Sequence, residues 1–235
     1  ELALLYGGKE SPGYIHRVLG QHGAPAHAVF NLDDYLACVN EGLDFDNIEL
    51  GEEDAFEAEP APRGDYYLGC DLGYARDPSE FVVYHAAGPD LVNVFRIHLR
   101  GVNYAKQQDV IVELDRAFRF RLMGIDSGNN GRAVAHNLIS RGGDWCDRVE
   151  AFEFGSSIDV GMTPDGAPLR QQTKQFMTEL IERRMAERTI VFPRLPDRES
   201  QYASHTYSVG TNGQIVYEKG NDHLIDADRC ALLAW

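Results

Sequence analysis

From residue 65 onward, short apolar runs alternate with stretches in which apolar residues recur at helical spacing. Three of the runs have the length and the β-branched and aromatic content of strands, and they are residues 66–70, 80–87 and 92–99. A turn signal at residues 88–90 joins the last two, which predicts an antiparallel meander. The next segment has one apolar face and begins at Asn103, which predicts a helix that Asn103 caps and that ends near Phe120.

The same patterns divide the rest of the chain. The predicted strands are residues 122–126, 149–154 and 189–193. The predicted helices are residues 132–142, residues 170–187 and a last one from about His223 onward. Residues 155–168 are a predicted loop, and a β-hairpin is predicted to turn around residues 210–213. Three strands, a helix, a strand, a helix and a strand is the order of an RNase H-like sheet. The predicted fold class is therefore α/β, with a mixed five-stranded sheet flanked by helices and an added β-hairpin. In this layout the first and fourth strands are parallel neighbours, and the last helix packs against them.

Residues 1–64 have a different pattern and are predicted to be a lead-in and linker segment. Glycine and proline interrupt it early, and residues 41–59 contain nine acidic residues and no lysine or arginine. A run of this kind is most simply a solvated linker, with a docking tail or a DNA mimic as the alternatives. We place the boundary near residues 60–64 and predict a folded domain over residues 65–235.

Composition narrows the class of protein. The chain is 43% hydrophobic and 25% charged, as in an ordinary soluble globular protein, and no apolar run approaches 18 residues, so no membrane span is expected. The four cysteines form no CxxC pair, which is typical of a reducing compartment and argues against a zinc site. Because the sequence begins at Glu1 and not at methionine, we expect it to be part of a longer protein.

The net charge of −15 weakens the case for a nucleic-acid partner without excluding it. Nine of the negative charges belong to the acidic run of residues 41–59. Several of the others are candidate metal ligands, whose charge bound cations would offset.

The candidate chemistry lies at the ends of three predicted elements. Asp71 ends the first strand, Asp126 ends the fourth, and Asp226 lies in the first turn of the last helix. An aspartate before a glycine often only shapes a turn, and for Asp71 alone that is the simpler interpretation. Three carboxylates brought together from separate elements, however, are what a hard divalent cation needs.

The last helix offers two further candidate ligands. Asp222 and Asp226 are four residues apart and His223 and Asp226 three apart, so either pair shares a helix face. The sequence leaves open which of Asp222 and His223 contacts a metal, and His223 is also a candidate proton shuttle. Asp77 is either an auxiliary ligand or an ordinary Asp-Pro turn.

Three motifs together resemble the nuclease domain of the large terminase subunit of tailed bacteriophages, the DNA-packaging motor. They are GCDLGYARDPS, MGIDSGNNG and EKGNDHLIDADRCALLA, and the resemblance extends over residues 66–235. It implies a metal-dependent endonuclease that cuts concatemeric double-stranded viral DNA during genome packaging, with two divalent cations, Mg²⁺ or Mn²⁺, as cofactors. It also implies that Asp71, Asp126, Asp226 and His223 are catalytic, with Asp71 bridging the two cations, and that Asp222 and Asp77 belong to the wider metal site.

The resemblance further implies the partners and the place of action. These are an upstream ATPase domain of the same polypeptide, the portal, the small terminase subunit, and the cytoplasm of the infected bacterial host at the procapsid. Double-stranded DNA would be bound without sequence preference, because nothing in the sequence resembles a base-reading helix. The basic residues near the carboxylates are the candidate DNA contacts, and they are Arg132, Arg170, Lys174 and Lys219.

Other functions share some of these features. A Holliday junction resolvase or a nuclease for RNA–DNA hybrids would carry the same carboxylates, and a non-catalytic module of a larger assembly would keep them for structure alone. Actin-like kinases and ATPases also begin with a strand followed by DxG, but they need further glycine-rich phosphate loops that are not evident here. The sequence has no Walker-type GxxxxGK[ST] motif, so we expect no ATP hydrolysis by this segment.

Overall fold

A computed structural model describes residues 27–128, 130–209 and 215–235. Contacts divide the chain into two compact units. The larger unit comprises Cys38–Arg194 and His223–Trp235; the described part of the smaller unit comprises residues 27–37, 195–209 and 215–222. The division predicted at residue 64 stays a prediction.

Within the described residues, the larger unit contains ten strands. They are β1 (Val39–Asn40), β2 (Asp46–Leu50), β3 (Asp65–Asp71), β4 (Ser79–Ala87), β5 (Asp90–Leu99), β6 (Leu122–Asp126), β7 (Val149–Phe152), β8 (Ser157–Met162), β9 (Pro168–Gln172) and β10 (Ile190–Pro193). Its helices are α2 (Tyr104–Phe118), α3 (Gly131–Ile139), α4 (Trp145–Arg148), α5 (Thr173–Glu187) and α7 (His223–Ala234). Asn103 caps α2 as predicted, since its side chain accepts a hydrogen bond from the amide of Lys106.

Eight of these strands form one mixed sheet within the described residues. The order is β1-β10-β5-β4-β3-β6-β7, and β2 also pairs with β5. β3, β4 and β5 are antiparallel, whereas β6 lies parallel to β3 and β7 parallel to β6. The five strands β5-β4-β3-β6-β7 therefore have the predicted RNase H-like order, and the predicted parallel pairing of the first and fourth strands is confirmed.

Three strands extend that sheet beyond the five predicted. β1 and β2 come from the segment predicted as lead-in and linker, and they pair in parallel with β10 and β5. β2 lies inside the acidic run, and its residues are exposed or half-buried. A strand that has little buried surface lacks the apolar alternation by which strands are recognised, and this explains why the sequence pattern did not indicate it.

Residues 155–168, predicted as a loop, instead belong largely to a hairpin formed by β8 and β9. The predicted helix over residues 170–187 begins only at Thr173, so Arg170 lies on β9 and not on the helix. The residues of both strands are exposed or half-buried, so neither face of this ribbon carries an apolar stripe.

The smaller unit contains α1 (Leu32–Ala37), α6 (Pro196–Ser204), β11 (Tyr207–Val209) and β12 (Ile215–Tyr217). β11 and β12 are antiparallel and form the predicted added hairpin, whose turn at residues 210–213 lies outside the described residues. Aromatic rings hold the unit together: Tyr202 lies 4.6 Å from Phe30 and 4.9 Å from Tyr35 between ring centroids. The helix α6 was not predicted, because its sequence PDRESQYAS is mostly polar.

The two faces of the central sheet have different roles. Alternate residues of β3 point to opposite faces, and Leu68 and Cys70 belong to the main core, together with apolar residues of α2 and α3. Gly69 and Asp71 therefore lie on the other face, where α7 packs. None of the helices in the described ranges is long and apolar enough to cross a membrane.

Two glycines let α7 approach the sheet very closely. Gly69 on β3 and Gly124 on β6 are register partners. A methyl group added at Gly69 would lie 2.0 Å from the carbonyl oxygen of Ala227, and one at Gly124 would lie 2.4 Å from that of Cys230. Only a residue without a side chain allows this approach, which brings the start of α7 to the ends of β3 and β6.

Candidate active site

The predicted carboxylates meet at the ends of two adjacent parallel strands. Asp71 is the last residue of β3 and Asp126 the last of β6. Each follows its α7-facing glycine by two residues, so both side chains lie on the face that α7 covers. Asp71 is 7% exposed, and Asp126 is half-buried and accepts a hydrogen bond of 3.0 Å from the amide of Gly128.

His223, the first residue of α7, joins this pair. Its Nδ1 lies 2.8 Å from Oδ2 of Asp71, although the two residues are 152 positions apart in the sequence. The structure thus brings together three of the four residues predicted to be catalytic. The hydrogen bond orients the imidazole ring and fixes one oxygen of the carboxylate.

Asp226, the fourth, is held by two cationic side chains. Lys174, in the first turn of α5, lies with Nζ 3.1 Å from Oδ2 of Asp226, and the guanidinium of Arg229 contacts Oδ1. Arg229 also donates from Nε to Oγ1 of Thr178 at 2.9 Å, and Thr178 donates to the carbonyl oxygen of Lys174 at 2.7 Å. These four residues form a closed ring of contacts between α5 and α7.

The pKa values of the three carboxyl groups are shifted, first by burial and then by neighbouring charges. Burial raises the pKa of the Asp71 carboxyl to about 7, against the hydrogen bond from His223 and with help from the charges of Asp226 and Asp126. Burial also raises the pKa of Asp126, and the charge of Asp226 adds to it. Burial would raise the pKa of Asp226 as well, but Arg229 and Lys174 outweigh it, so its pKa is lowered.

A divalent cation suits this donor set in chemistry and in charge. Carboxylate oxygens are the ligands that Mg²⁺ prefers, and mutual repulsion between carboxylates is relieved by a cation among them. Within residues 27–128, 130–209 and 215–235, however, no group of three or more His, Cys, Asp or Glu side chains is arranged closely enough to hold an ion as the side chains lie. In this side-chain arrangement, Lys174 and Arg229 contact the two carboxylate oxygens of Asp226.

Asp222 and Asp77 are the two further predicted ligands. Asp222 is half-buried and directly precedes α7, but it is assigned to the smaller unit. Asp77 is exposed in the loop between β3 and β4. Its charge, like that of Asp71, adds to the effect of burial in raising the pKa of Tyr104.

The four candidate DNA contacts differ in the partners of their side chains. Arg132 is exposed near the start of α3 and pairs with Glu153 at 2.9 Å. Arg170 is exposed on β9 and pairs with Asp159 at 2.9 Å. Lys219 is exposed in the smaller unit. Lys174 differs from all of them, because its ammonium contacts Asp226.

Sequence reasoning missed Arg229. This arginine is 0% exposed, and a buried charge of this kind needs a partner. The signal was present in the sequence, since Arg229 follows Asp226 by three residues on a helix that is otherwise mostly apolar.

The strand order β5-β4-β3-β6-β7 defines an RNase H-like α/β fold, and its parallel neighbours β3 and β6 both end in a carboxylate. More particularly, the fold is that of the nuclease domain of phage large terminases. The large terminase nuclease from thermophilic phage G20c with bound magnesium has a TM-score of 0.61 and 16% identity, over 89% of this chain and 98% of that one. The Thermus phage P74-26 large terminase nuclease domain has a TM-score of 0.58 and 17% identity, over 87% and 93%.

A longer protein shares the fold as well. This large terminase, from another thermophilic bacteriophage, has a TM-score of 0.59 and 14% identity, over 90% of this chain but 46% of that one. The G20c nuclease is also known with bound cobalt, at the same TM-score of 0.61. No protein-family model matches the sequence, and no curated protein matches it.

Proposed function

We propose that this chain is a metal-dependent endonuclease that cuts concatemeric double-stranded viral DNA during genome packaging. The observation that carries the proposal is that Asp71 and Asp126 end adjacent parallel strands, with His223 hydrogen-bonded to Asp71, on one face of a sheet with the large terminase nuclease fold. Asp226 is close enough for its charge to raise the pKa of both carboxylates. Structures with that fold contain magnesium or cobalt. The cofactors we propose are two divalent cations, Mg²⁺ or Mn²⁺.

Two divalent cations supply an activated water, offset the phosphate charge and stabilise the leaving oxygen. Asp71 would be the carboxylate shared by the two cations, as the resemblance to terminase nucleases implies; its position at the end of β3, beside the end of β6 with Asp126, supports this assignment. His223 hydrogen-bonds to Oδ2 of Asp71, and Arg229 contacts Oδ1 of Asp226, so each carboxylate is oriented through one of its oxygens. Asp126 is oriented by the amide of Gly128.

We propose Asp222 and Asp77 as auxiliary groups of the metal site, and Arg132, Arg170 and Lys219 as contacts to the DNA backbone. Arginine and lysine contacts to phosphate do not depend on sequence and weaken with salt. The proposed partners are an ATPase domain of the same polypeptide, the portal and the small terminase subunit, and the proposed place of action is the cytoplasm of the infected host. Support for the ATPase partner comes from the longer large terminase described above, whose structures include complexes with ADP and with ATP-γ-S.

Plasmid cleavage tests the proposal. Supercoiled plasmid is incubated with the protein in Mn²⁺, Mg²⁺ or EDTA, and Asp71→Asn and Asp126→Asn are compared with Asp147→Asn, which removes an exposed carboxylate on α4. We expect nicking and linearisation that need the metal and that fall at least about 100-fold in the two site variants, since each loses a proposed metal ligand. Cleavage that persists in both site variants would overturn the site assignment.

A substrate panel separates the related nucleases. A packaging endonuclease cuts plain duplex DNA, whereas a junction resolvase needs a four-way junction and a hybrid nuclease needs an RNA–DNA duplex. A non-catalytic module cuts none of them and does not take up Mn²⁺. Cleavage of the three substrates and uptake of Mn²⁺ together therefore distinguish the proposed function from each alternative.

A further inference from the structure

The two cations on Asp226 differ in how firmly they are fixed. Arg229 is 0% exposed and is tied to both Asp226 and Thr178. The Lys174 side chain is 22% exposed, and its ammonium is the end of a flexible four-carbon stem. Arg229 thus belongs to the permanent structure around Oδ1, while Lys174 can leave Oδ2 by rotation of its own side chain.

The backbone of Lys174 does not have to move for this exchange. Its carbonyl oxygen accepts the hydrogen bond from Thr178, and its amide donates to the carbonyl oxygen of Phe154 at 3.3 Å. The neighbouring amide of Thr173 donates to the carbonyl oxygen of Ser156 at 2.9 Å. The first turn of α5 is therefore anchored, and the ammonium also lies over the Phe154 ring, 5.2 Å from its centroid, a contact that does not depend on Asp226.

The Lys174 ammonium also acts beyond Asp226. Its positive charge opposes the rise in the pKa of Asp126, so it lies within electrostatic reach of two of the three carboxylates. A cation that contacts one carboxylate and stabilises a second has the same electrostatic effect as a metal ion bound at such a cluster. Lysine and the metal compete for the same negative charge.

We propose that Lys174 is an internal counter-ion that a divalent cation must displace from Oδ2 of Asp226, and that it thereby sets the metal affinity of the site. The inference rests on the proposed function, because it assigns Asp226 to a metal site. It makes Lys174 a positioning residue for the carboxylates in the metal-free protein, in place of the surface DNA contact that the sequence suggested.

Two opposite effects of one substitution follow. Lys174→Met keeps the length of the side chain and removes its charge. Without metal, the variant should be less stable than the wild type, since the carboxylates lose a counter-ion. With metal, it should bind the ion at least about tenfold more tightly, since an opposite charge within about 4–6 Å changes the affinity of a carboxylate for a cation such as the proton by one to three powers of ten.

The experiment is a titration of Mn²⁺ into the 235-residue chain, followed by the electron paramagnetic resonance signal of free Mn²⁺, with melting temperatures recorded in EDTA and in Mn²⁺. Lys106→Met is the matched control, because it removes the same charge from α2, on the opposite face of the sheet. Lys174→Arg keeps the charge and should not tighten binding.

Tighter Mn²⁺ binding by Lys174→Met, with a lower melting temperature in EDTA and a larger gain on adding metal, supports the proposal. Equal or weaker binding by Lys174→Met, or equal tightening by Lys106→Met, overturns it and leaves the proposed nuclease function standing. Absence of Mn²⁺ binding in the wild type and in every variant overturns the metal site itself, and the proposed function with it.

Discussion

Glu182 is the acidic side chain of α5 that should be most sensitive to pH. Its burial raises the pKa of its carboxyl to about 7 from an ordinary value of 4.5, with a further contribution from the charge of Glu179 and an opposing one from Arg229. Arg229 is committed to Asp226 and Thr178, so it compensates Glu182 only in part. This residue therefore stabilises the protein best when it is protonated.

The sign of the pH dependence follows from the direction of the shift. Because the pKa in the folded protein is above that in the unfolded chain, the contribution of Glu182 to stability is complete below about pH 4.5 and is lost as the pH rises through 7. Glu182→Gln should raise the free energy of unfolding at pH 8 by on the order of 1 kcal/mol, allowing for solvent screening of a half-buried group, and should leave it nearly unchanged at pH 4.5. Urea unfolding in EDTA at the two pH values measures the difference.

Glu187→Gln is the control, since it removes an exposed carboxylate from the end of the same helix. A gain at pH 8 that is no larger for Glu182→Gln than for Glu187→Gln would show that only the net charge matters. An equal gain at pH 4.5 and pH 8 would show that the ionisation of Glu182 is not its cause.

At the scale of elements, the site depends on how closely α7 lies against the sheet. Gly69→Ala and Gly124→Ala each insert a methyl group into backbone of α7, and overpacking of this kind costs about 1–3 kcal/mol. We expect both variants to lose stability by that amount. We also expect the cleavage rate to fall by more than the loss of folded protein explains, because a displaced α7 carries Asp226 and His223 away from Asp71. Urea unfolding and plasmid cleavage measure the two effects.

Gly155→Ala is the matched control, because a methyl group there has no atom within 4 Å outside its chain neighbours. It should leave both readouts unchanged. Wild-type cleavage by Gly69→Ala or Gly124→Ala would mean that the distance between α7 and the sheet does not determine the geometry of the site.

The sequence predicted the central elements because each of them buries apolar side chains. The strands ending in Asp71 and Asp126 are short apolar runs whose residues are mostly buried, and the helix after Asn103 has an apolar stripe, so the hydrophobic pattern indicated all three. The order of these elements was then enough to predict that β3 and β6 are neighbours. Two of the site residues follow from that adjacency alone.

Elements without a buried face were missed, as were contacts that depend on side-chain direction. The β8–β9 hairpin is exposed or half-buried on both faces, and it shifted the start of α5 from residue 170 to Thr173. Lys174, which the sequence suggested as a DNA contact on that basic helix, has its ammonium on Asp226, a contact that the sequence does not reveal. The glycine in each GxD motif was the unused signal, since a residue without a side chain two positions before the aspartate faces the packing helix.

At the scale of the whole chain, a net charge of −15 should make DNA binding weak and sensitive to salt. We expect a labelled duplex of about 30 base pairs in EDTA to bind with a dissociation constant in the micromolar range or weaker, and to lose at least about tenfold between 50 and 200 mM salt. Fluorescence anisotropy measures both. Binding that is tight and insensitive to salt would contradict this expectation.

Arg132→Gln tests one contact within that measurement, with Arg116→Gln on α2 as its control. Both residues are exposed and paired with a glutamate. A phosphate contact at Arg132 predicts uniformly weaker binding and a salt slope smaller by about one. Equal effects of the two substitutions would assign the loss to charge alone.

The long sequence separation between Asp71 and His223 also has a consequence during synthesis. The two residues that hydrogen-bond at the site are 152 positions apart, and a ribosome adds roughly 5–20 residues per second, so Asp71 waits about 8 to 30 s for its partner to be made. During that interval β3 and β6 can already pair, but the helix that completes the carboxylate cluster does not yet exist. The part of the chain that is made before His223 therefore carries an incomplete site, and the proposed activity begins only after α7 has been made and has docked against the sheet.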